Sequence, residues 1–391
     1  MMMMPRFLVS VLLLALLWPG LAGANLRVSP PSDLVARNYV VLDAASGMML
    51  AEREAGQRVE PASLTKIMTA YIVFKELQDG KLALNERVDV SERAWRTGMR
   101  GASRMFIEVG TQVTVEELIR GMIVQSGNDA CVALAERIAG TEGAFVDMMN
   151  AQARALGMYD TRFQNSHGLP SDTPQYTTAY DIAVLMQALI RNFPEYYPYY
   201  SERSFSFNGI SQSNRNILLW RDDSVDGGKT GWTSSAGYNL VSSAQRDGTR
   251  LVVSVMGIQA ADHEQGGRLR ANESQALFNW AFRQFETHKL YDAGMALTEA
   301  RVYKGEEDRV PLGLVRDLHV SIPRGSYDRL QAEVSLEGKL EAPIEHGRTY
   351  GELRIMLDGE PLQVVPLVAL RGIEEGGLFR RLIDSAWMWI R

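Results

Sequence analysis

The chain has 391 residues, 46% of them hydrophobic and 23% charged, with a formal net charge of -6. That length accommodates two ordinary domains with a sizeable core in the larger one. The acidic balance, without a basic stripe or an RNA-binding signature, excludes a nucleic-acid partner, and the single cysteine, Cys131, excludes an intramolecular disulfide.

Arg6 precedes an apolar run over residues 7–18, a turn at Pro19-Gly20 and the small residues Ala22-Gly23-Ala24. This pattern predicts a secretory signal peptide over residues 1–24, with the rest of the chain exported. Two apolar runs, at 39–43 and 48–51, flank Ala44-Ala45-Ser46-Gly47 and predict a hairpin at a sheet edge. Pro61-Ala62-Ser63-Leu64-Thr65-Lys66 then opens an apolar helical run through Phe74. At three-residue spacing the Ser63 hydroxyl and the Lys66 amine share one face of the first turn, within reach of one proton. A serine becomes a nucleophile when a neighbouring base takes its proton, and a lysine becomes that base when its surroundings favour the neutral amine. Burial and Lys229 are both expected to lower the Lys66 pKa.

Residues 81–110 are polar and turn-rich. Thr114 and Glu117 form a capping box for a helix through Gln125. That helix delivers Ser126-Gly127-Asn128, a short polar tripeptide between two apolar helices, which is a natural place to project side chains into a cleft. Ser126 can pass a proton, and Asn128 can orient a substrate amide. Cys131 lies in an apolar helical run and is expected to be buried and inert. Residues 157–181 form a long irregular segment around His167, for which a loop-fixing hydrogen bond is the commoner role, because no acid partner for a catalytic base is visible.

Lys229-Thr230-Gly231 opens a strand, and residues 238–244 and 251–257 read as adjacent strands. Gly228-Lys229-Thr230 resembles the end of a phosphate-binding loop, but that motif needs glycine where Asp223 stands. A helix is expected from Asn272-Glu273 through Phe285, with Arg270 just before it. Past His288 the period changes to two. Leu330, Ala332, Val334 and Leu336 alternate with polar residues as in a half-buried strand, so residues 288–373 read as a separate antiparallel β domain. Beyond Gly376-Gly377, Leu378, Phe379, Leu382, Ile383, Ala386, Trp387, Trp389 and Ile390 fill one half of a helical wheel. Arg380, Arg381, Asp384, Ser385 and Arg391 fill the other. Residues 378–391 are too short to span a bilayer and read as a free helix lying in a membrane interface.

One Ser-x-x-Lys is weak evidence by itself, but here it stands in order with Ser126-Gly127-Asn128 and Lys229-Thr230-Gly231. That set is the signature of penicillin-binding proteins and class A β-lactamases. Within it the chain resembles the low-molecular-mass penicillin-binding proteins that are D-alanyl-D-alanine carboxypeptidases. The resemblance is carried also by residues 38–43, 61–69 and 125–130, by His167-Gly168-Leu169 and by residues 226–231. It implies an α+β fold: a β-lactamase/transpeptidase-like domain, with an antiparallel sheet flanked by helices and a helical subdomain, over residues 25–287. A small all-β domain (288–373) and an amphipathic membrane-anchoring helix (374–391) follow. The implied substrate is the stem pentapeptide of peptidoglycan, with β-lactams as acylating inhibitors and no cofactor or metal.

The same resemblance implies Ser63 as nucleophile, Lys66 as base and Ser126 as proton carrier, with Asn128, Lys229, Thr230, Gly231 and Trp232 on the substrate. Relatives often carry histidine where this chain has Trp232, so contact with the substrate carboxylate passes to Thr230, Lys229 and Arg270, assisted by Arg215. The implied location is periplasmic, on the outer face of the inner membrane. A β-lactamase is the alternative, opposed by Ser-Gly-Asn in place of Ser-Asp-Asn and by the extra domain. A non-catalytic wall-binding scaffold is opposed by the intact motifs.

Overall fold

A computed structural model describes residues 28–99 and 101–390, so the expected signal peptide and Arg391 lie outside the described residues. The hairpin β1 (Asn38–Asp43) and β2 (Met49–Arg53) comes first, and a 3-10 turn, Ala62–Leu64, runs into α1 (Thr65–Gln78). β3 (Arg87–Asp89), α2 (Glu92–Thr97) and β4 (Gln112–Thr114) follow, then α3 (Val115–Val124), α4 (Asn128–Ala139), α5 (Glu142–Ala155) and α6 (Ala179–Asn192). A minor hairpin, β5 (Ser204–Phe207) with β6 (Ile210–Ser213), precedes β7 (Val225–Thr233), β8 (Gly237–Arg246), β9 (Thr249–Ile258) and α7 (His263–Gln284).

The five long strands form one antiparallel sheet in the order β2-β1-β9-β8-β7. Every residue of β1 is buried, because the sheet is covered on both faces. Val40 and Leu42 join the core built with α1 and α3 to α6, while Tyr39 and Val41 join the core under α7. The expected α+β architecture is therefore the one observed. So is the capping box: Thr114 Oγ1 accepts from the Glu117 N–H while Glu117 accepts from the Thr114 N–H.

Several expectations change. The last helix of the first unit begins at His263 and not at Asn272, because the Asp262 carboxylate caps it by accepting from the Gln265 N–H. Arg270 is thus inside the helix. In the C-terminal unit a third apolar cluster fills a mostly antiparallel six-stranded sheet, in which Ala296–Tyr303 and Leu340–Glu341 pair in parallel. Its strand Leu330–Leu336 is not half-buried as its period implies; Val334 and Leu336 are 43% and 40% exposed. As the edge strand it pairs, among the described residues, only with Thr349–Leu357 and extends beyond the core.

The tail is α8 (Leu378–Ile390), and it is tied down where a free helix was expected. The Asp384 carboxylate, 8% exposed, accepts from the Lys304 N–H at 2.6 Å, and Arg380 pairs with Asp308. A helix with one strongly polar face docks by that face when backbone donors and a carboxylate are waiting for it. Among the described residues no helix is long and apolar enough to cross a membrane.

Candidate active site

Ser63 sits in the 3-10 turn, half-buried, immediately before α1. Lys66 follows one turn later, 1% exposed, with its Nζ 3.0 Å from the Ser63 Oγ. The same Nζ donates to Asn128 Oδ1 and to the His167 carbonyl, both at 2.7 Å. Burial is the main force lowering the Lys66 pKa to about 8, and the nearby Arg215 charge pushes the same way. The expectation of a lowered pKa agrees with this. The Lys66 and Lys229 charges disfavour one another, and after burial that repulsion helps drive Lys229 well below an ordinary lysine.

α3 ends at Val124, and Ser126 adopts a left-handed φ of 59°, which turns the chain sharply into α4. That turn brings Ser126 Oγ to the Lys229 Nζ, 2.9 Å away on β7; Lys229 also donates to the Thr230 carbonyl at 3.1 Å. β7 is the edge strand and lies against the Ser63 turn. A Cβ added at Gly231 would stand 3.3 Å from the Leu64 nitrogen and the Pro61 oxygen, a tight contact to which the turn would have to yield by a few tenths of an ångström. Ser63, Lys66 and Asn128 thus form one hydrogen-bonded set and Ser126 with Lys229 another, and the two make up a single group through the repulsion between the Lys66 and Lys229 charges. Thr230, 6% exposed, and Gly231 adjoin it.

The other expected residues stand beside this group. Arg270 is 8% exposed, donates to the Arg215 carbonyl at 3.3 Å and lies 6.0 Å over the Tyr238 ring. Burial, then the Arg215 charge, lowers its pKa to about 10. Arg215 itself is exposed and donates to Ser103 Oγ at 2.7 Å. Trp232 is 43% exposed and meets the His263 ring edge-on at 4.5 Å, while His263 Nδ1 lies 3.0 Å from the Tyr238 hydroxyl. The Cys131 thiol is fully buried and pushed up to about 12, unsuited to nucleophilic work.

Asp129 and Glu142 were not singled out from sequence, and the His167 carbonyl has a role beyond the loop-fixing one expected. Asp129, 2% exposed, accepts from the N–H groups of Met105, Phe106, Ile107 and Ala130 and pins the preceding loop beside Ser126. Its place directly after Ser126-Gly127-Asn128 is the one signal that would have drawn attention to it. His167 contributes its carbonyl to Lys66, while its ring Nδ1 accepts from the Leu169 N–H at 3.1 Å, a loop-fixing bond. Glu142, at the first turn of α5, holds Ser166. Among the described residues no group of His, Cys, Asp and Glu could hold a metal ion. What the arrangement offers is a nucleophilic hydroxyl, a depressed amine touching it, and a second hydroxyl and amine facing the same space.

Comparison with known proteins bears on this geometry. Residues 24–260 match the family model described as D-alanyl-D-alanine carboxypeptidase, and residues 285–375 match the penicillin-binding protein 5 C-terminal domain. The D-alanyl-D-alanine carboxypeptidase DacC of Escherichia coli K12 is 43% identical over 376 residues, covering 95% of this chain and 92% of that protein. DacA of the same strain is 43% identical over 370 residues, covering 92% and 89%. The crystal structure of penicillin-binding protein 5 from Haemophilus influenzae superposes with a TM-score of 0.83 at 41% identity, covering 89% of this chain and all of that one. Penicillin-binding protein D2 of Listeria monocytogenes in its ampicillin-bound form gives a TM-score of 0.58 at 28% identity over 65% of this chain.

Proposed function

The chain belongs to the D-alanyl-D-alanine carboxypeptidase family, and on that premise we propose how its residues remove the terminal D-alanine of peptidoglycan stem pentapeptides through an acyl-enzyme on Ser63. One observation carries the assignment of roles: the Lys66 amine, already depressed to about 8, touches the Ser63 hydroxyl. A neutral amine has two N–H bonds and one lone pair. The Asn128 and His167 carbonyl oxygens each take one N–H, which leaves the lone pair for the Ser63 proton.

Ser63 Oγ attacks the carbonyl between the two D-alanines as its proton moves to Lys66. The oxyanion forms beside the backbone N–H groups of Ser63 and Trp232. When the C–N bond breaks, Ser126 passes a proton to the leaving amine and recovers one from the amines around it. Water then attacks the acyl carbon, gives its proton to Lys66 and releases Ser63. Among the described residues β7 pairs only with β8, so its other edge is open for an extended peptide to add as a strand. With its oxygen engaged by Lys66, Asn128 has its NH₂ to offer the substrate. Thr230, Lys229, Gly231 and Trp232 line the strand, and Arg270 with Arg215 supplies positive charge for the terminal carboxylate. The ampicillin-bound relative supports reaction of the same serine with β-lactams.

We assign residues 1–24 to a signal peptide, 25–287 to the catalytic domain, 288–373 to the β domain and 374–391 to the anchoring segment. The protein works in the periplasm, held to the outer face of the inner membrane by α8. What supports attachment is the pose of that helix: its polar side is docked while Leu378, Phe379, Leu382 and Ile383 are 80%, 79%, 70% and 46% exposed. Mass spectrometry after incubation with benzylpenicillin should find one adduct, on Ser63, and Ser63→Ala should abolish both the adduct and D-alanine release from a pentapeptide. A Ser63 left unmodified in the parent refutes the assignment.

A further inference from the structure

Lys66 is oriented by two carbonyls, and they are held very differently. Asn128 stands at the first position of α4, a regular helix. His167 lies in the 165–169 turn of a long irregular segment, whose paired residues, Arg162 with Tyr176 and Thr177 with Val59, stand outside the turn. Asn165 ties that turn to itself, accepting from the His167 and Gly168 N–H groups at 3.2 and 2.6 Å and donating to the Leu169 carbonyl at 2.8 Å. Such internal bonds give the turn a shape but not a place.

Asn150 on α5 grips Phe163 just before the turn, at both its N–H and its carbonyl, and the Gln175 amide donates to the Leu169 carbonyl at 2.7 Å, while two further side chains place the Ser166 backbone next to His167. Thr69 on α1 donates to the Ser166 carbonyl at 2.6 Å. On α5 the Glu142 carboxylate accepts twice from Ser166, from its N–H at 3.0 Å and its hydroxyl at 2.7 Å, and the same oxygen faces His167 Nε2 at 3.6 Å. Because His167 Nδ1 accepts from the Leu169 N–H, the neutral ring carries its proton on Nε2, toward the carboxylate. Glu142 is 6% exposed, a high cost for a carboxylate unless its bonds are made, and its other oxygen takes Arg93 at 2.6 Å. It stands in the first turn of α5, where the helix dipole favours an anion.

We propose that Glu142 is a positioning residue for acylation: its carboxylate clamps the 165–169 turn so that the His167 carbonyl takes one N–H of Lys66 and leaves the lone pair on Ser63. The inference rests on the roles proposed above for Ser63 and Lys66. Glu142 touches neither substrate nor reacting atoms; it acts through Ser166 and the backbone of His167. Without the clamp, the Lys66 amine has one fixed acceptor and can turn its lone pair away from the hydroxyl. A misplacement of about an ångström at a reacting group costs about 100-fold in rate.

The test uses the mature full-length protein and nitrocefin, separating the pre-covalent binding constant from the first-order acylation constant by stopped flow. Glu142→Ala should lower the acylation constant by about 10- to 100-fold with the binding constant unchanged. Glu142→Gln, which keeps an acceptor oxygen for both Ser166 bonds, should acylate within about threefold of the parent. If Glu142→Ala does not fold, Ser166→Ala removes one of the two bonds and should lower the acylation constant by roughly three- to tenfold. Parent-like acylation in the alanine variants, an equal loss in Glu142→Gln, or a loss that falls on binding overturns the clamp. Failure of the parent itself to acylate at Ser63 would instead overturn the reading on which the clamp rests.

Discussion

Raising the pH from 7 to 9 should increase the acylation rate of Ser63 about tenfold and then have no further effect. The base in that step is neutral Lys66, whose pKa is lowered from 10.5 to about 8. This drop corresponds to roughly 3 kcal/mol disfavouring the ammonium, and burial is its largest cause. A pKa of about 8 leaves about a tenth of the molecules with a neutral Lys66 at pH 7 and about nine-tenths at pH 9. The sign follows: a depressed lysine becomes a base at lower pH, so activity rises through 8 and levels off above it. An undisturbed lysine would instead give a rate that grows about 100-fold over the same interval and keeps climbing past pH 10. Burial and the Lys66 charge drive Lys229 well below its ordinary value as well, so the limb is assigned to Lys66 by its persistence in Lys229→Ala. The assay is stopped-flow acylation by nitrocefin at constant ionic strength from pH 6 to 10. Arg215→Ala should move the midpoint upward, because the Arg215 charge is among the causes that lower Lys66. A profile still climbing at pH 10, or one without a limb between 7 and 9, refutes the reasoning.

Lys229→Ala removes the donor to Ser126 Oγ and should lower the acylation constant by about 100- to 1000-fold, while the melting temperature holds or rises because a buried amine has been removed. Gly168→Ala places a Cβ 1.8 Å from the Ala62 carbonyl oxygen at a φ of +89°, so it should lose at least about 2 kcal/mol of stability by denaturant titration together with acylation at Ser63. Truncation after Gly377 should abolish cosedimentation with phosphatidylethanolamine/phosphatidylglycerol vesicles and leave D-alanine release from a soluble pentapeptide unchanged. Equal sedimentation of the truncated and full-length proteins would refute the α8 attachment.

Short-range features were legible in the sequence because their cause lies within a few residues of backbone. The Thr114–Glu117 capping box closes over three residues, the hairpin around Ala44-Ala45-Ser46-Gly47 over four, and Ser63 and Lys66 share a helical face by spacing alone. Residue chemistry in three ordered motifs also named the groups that meet, although nothing local says that Lys229 reaches Ser126 across 103 positions. Where the period misled, the environment was decided elsewhere. Leu330–Leu336 alternates like a half-buried strand but ends up at a sheet edge. α8 has the pattern of a free amphipathic helix but offers Asp384 to a backbone N–H 80 residues earlier.

The electrostatics of the site belong wholly to the tertiary structure. Which cation lowers Lys66, which carbonyl orients its lone pair and which carboxylate steadies that carbonyl depend on distances between Arg215, His167, Glu142 and α1. Sequence by itself determined the reacting groups, since hydroxyl and amine chemistry travels with the residue. Packing alone decided their protonation and aim, because desolvation and hydrogen-bond direction arise only once distant segments have excluded water from one another.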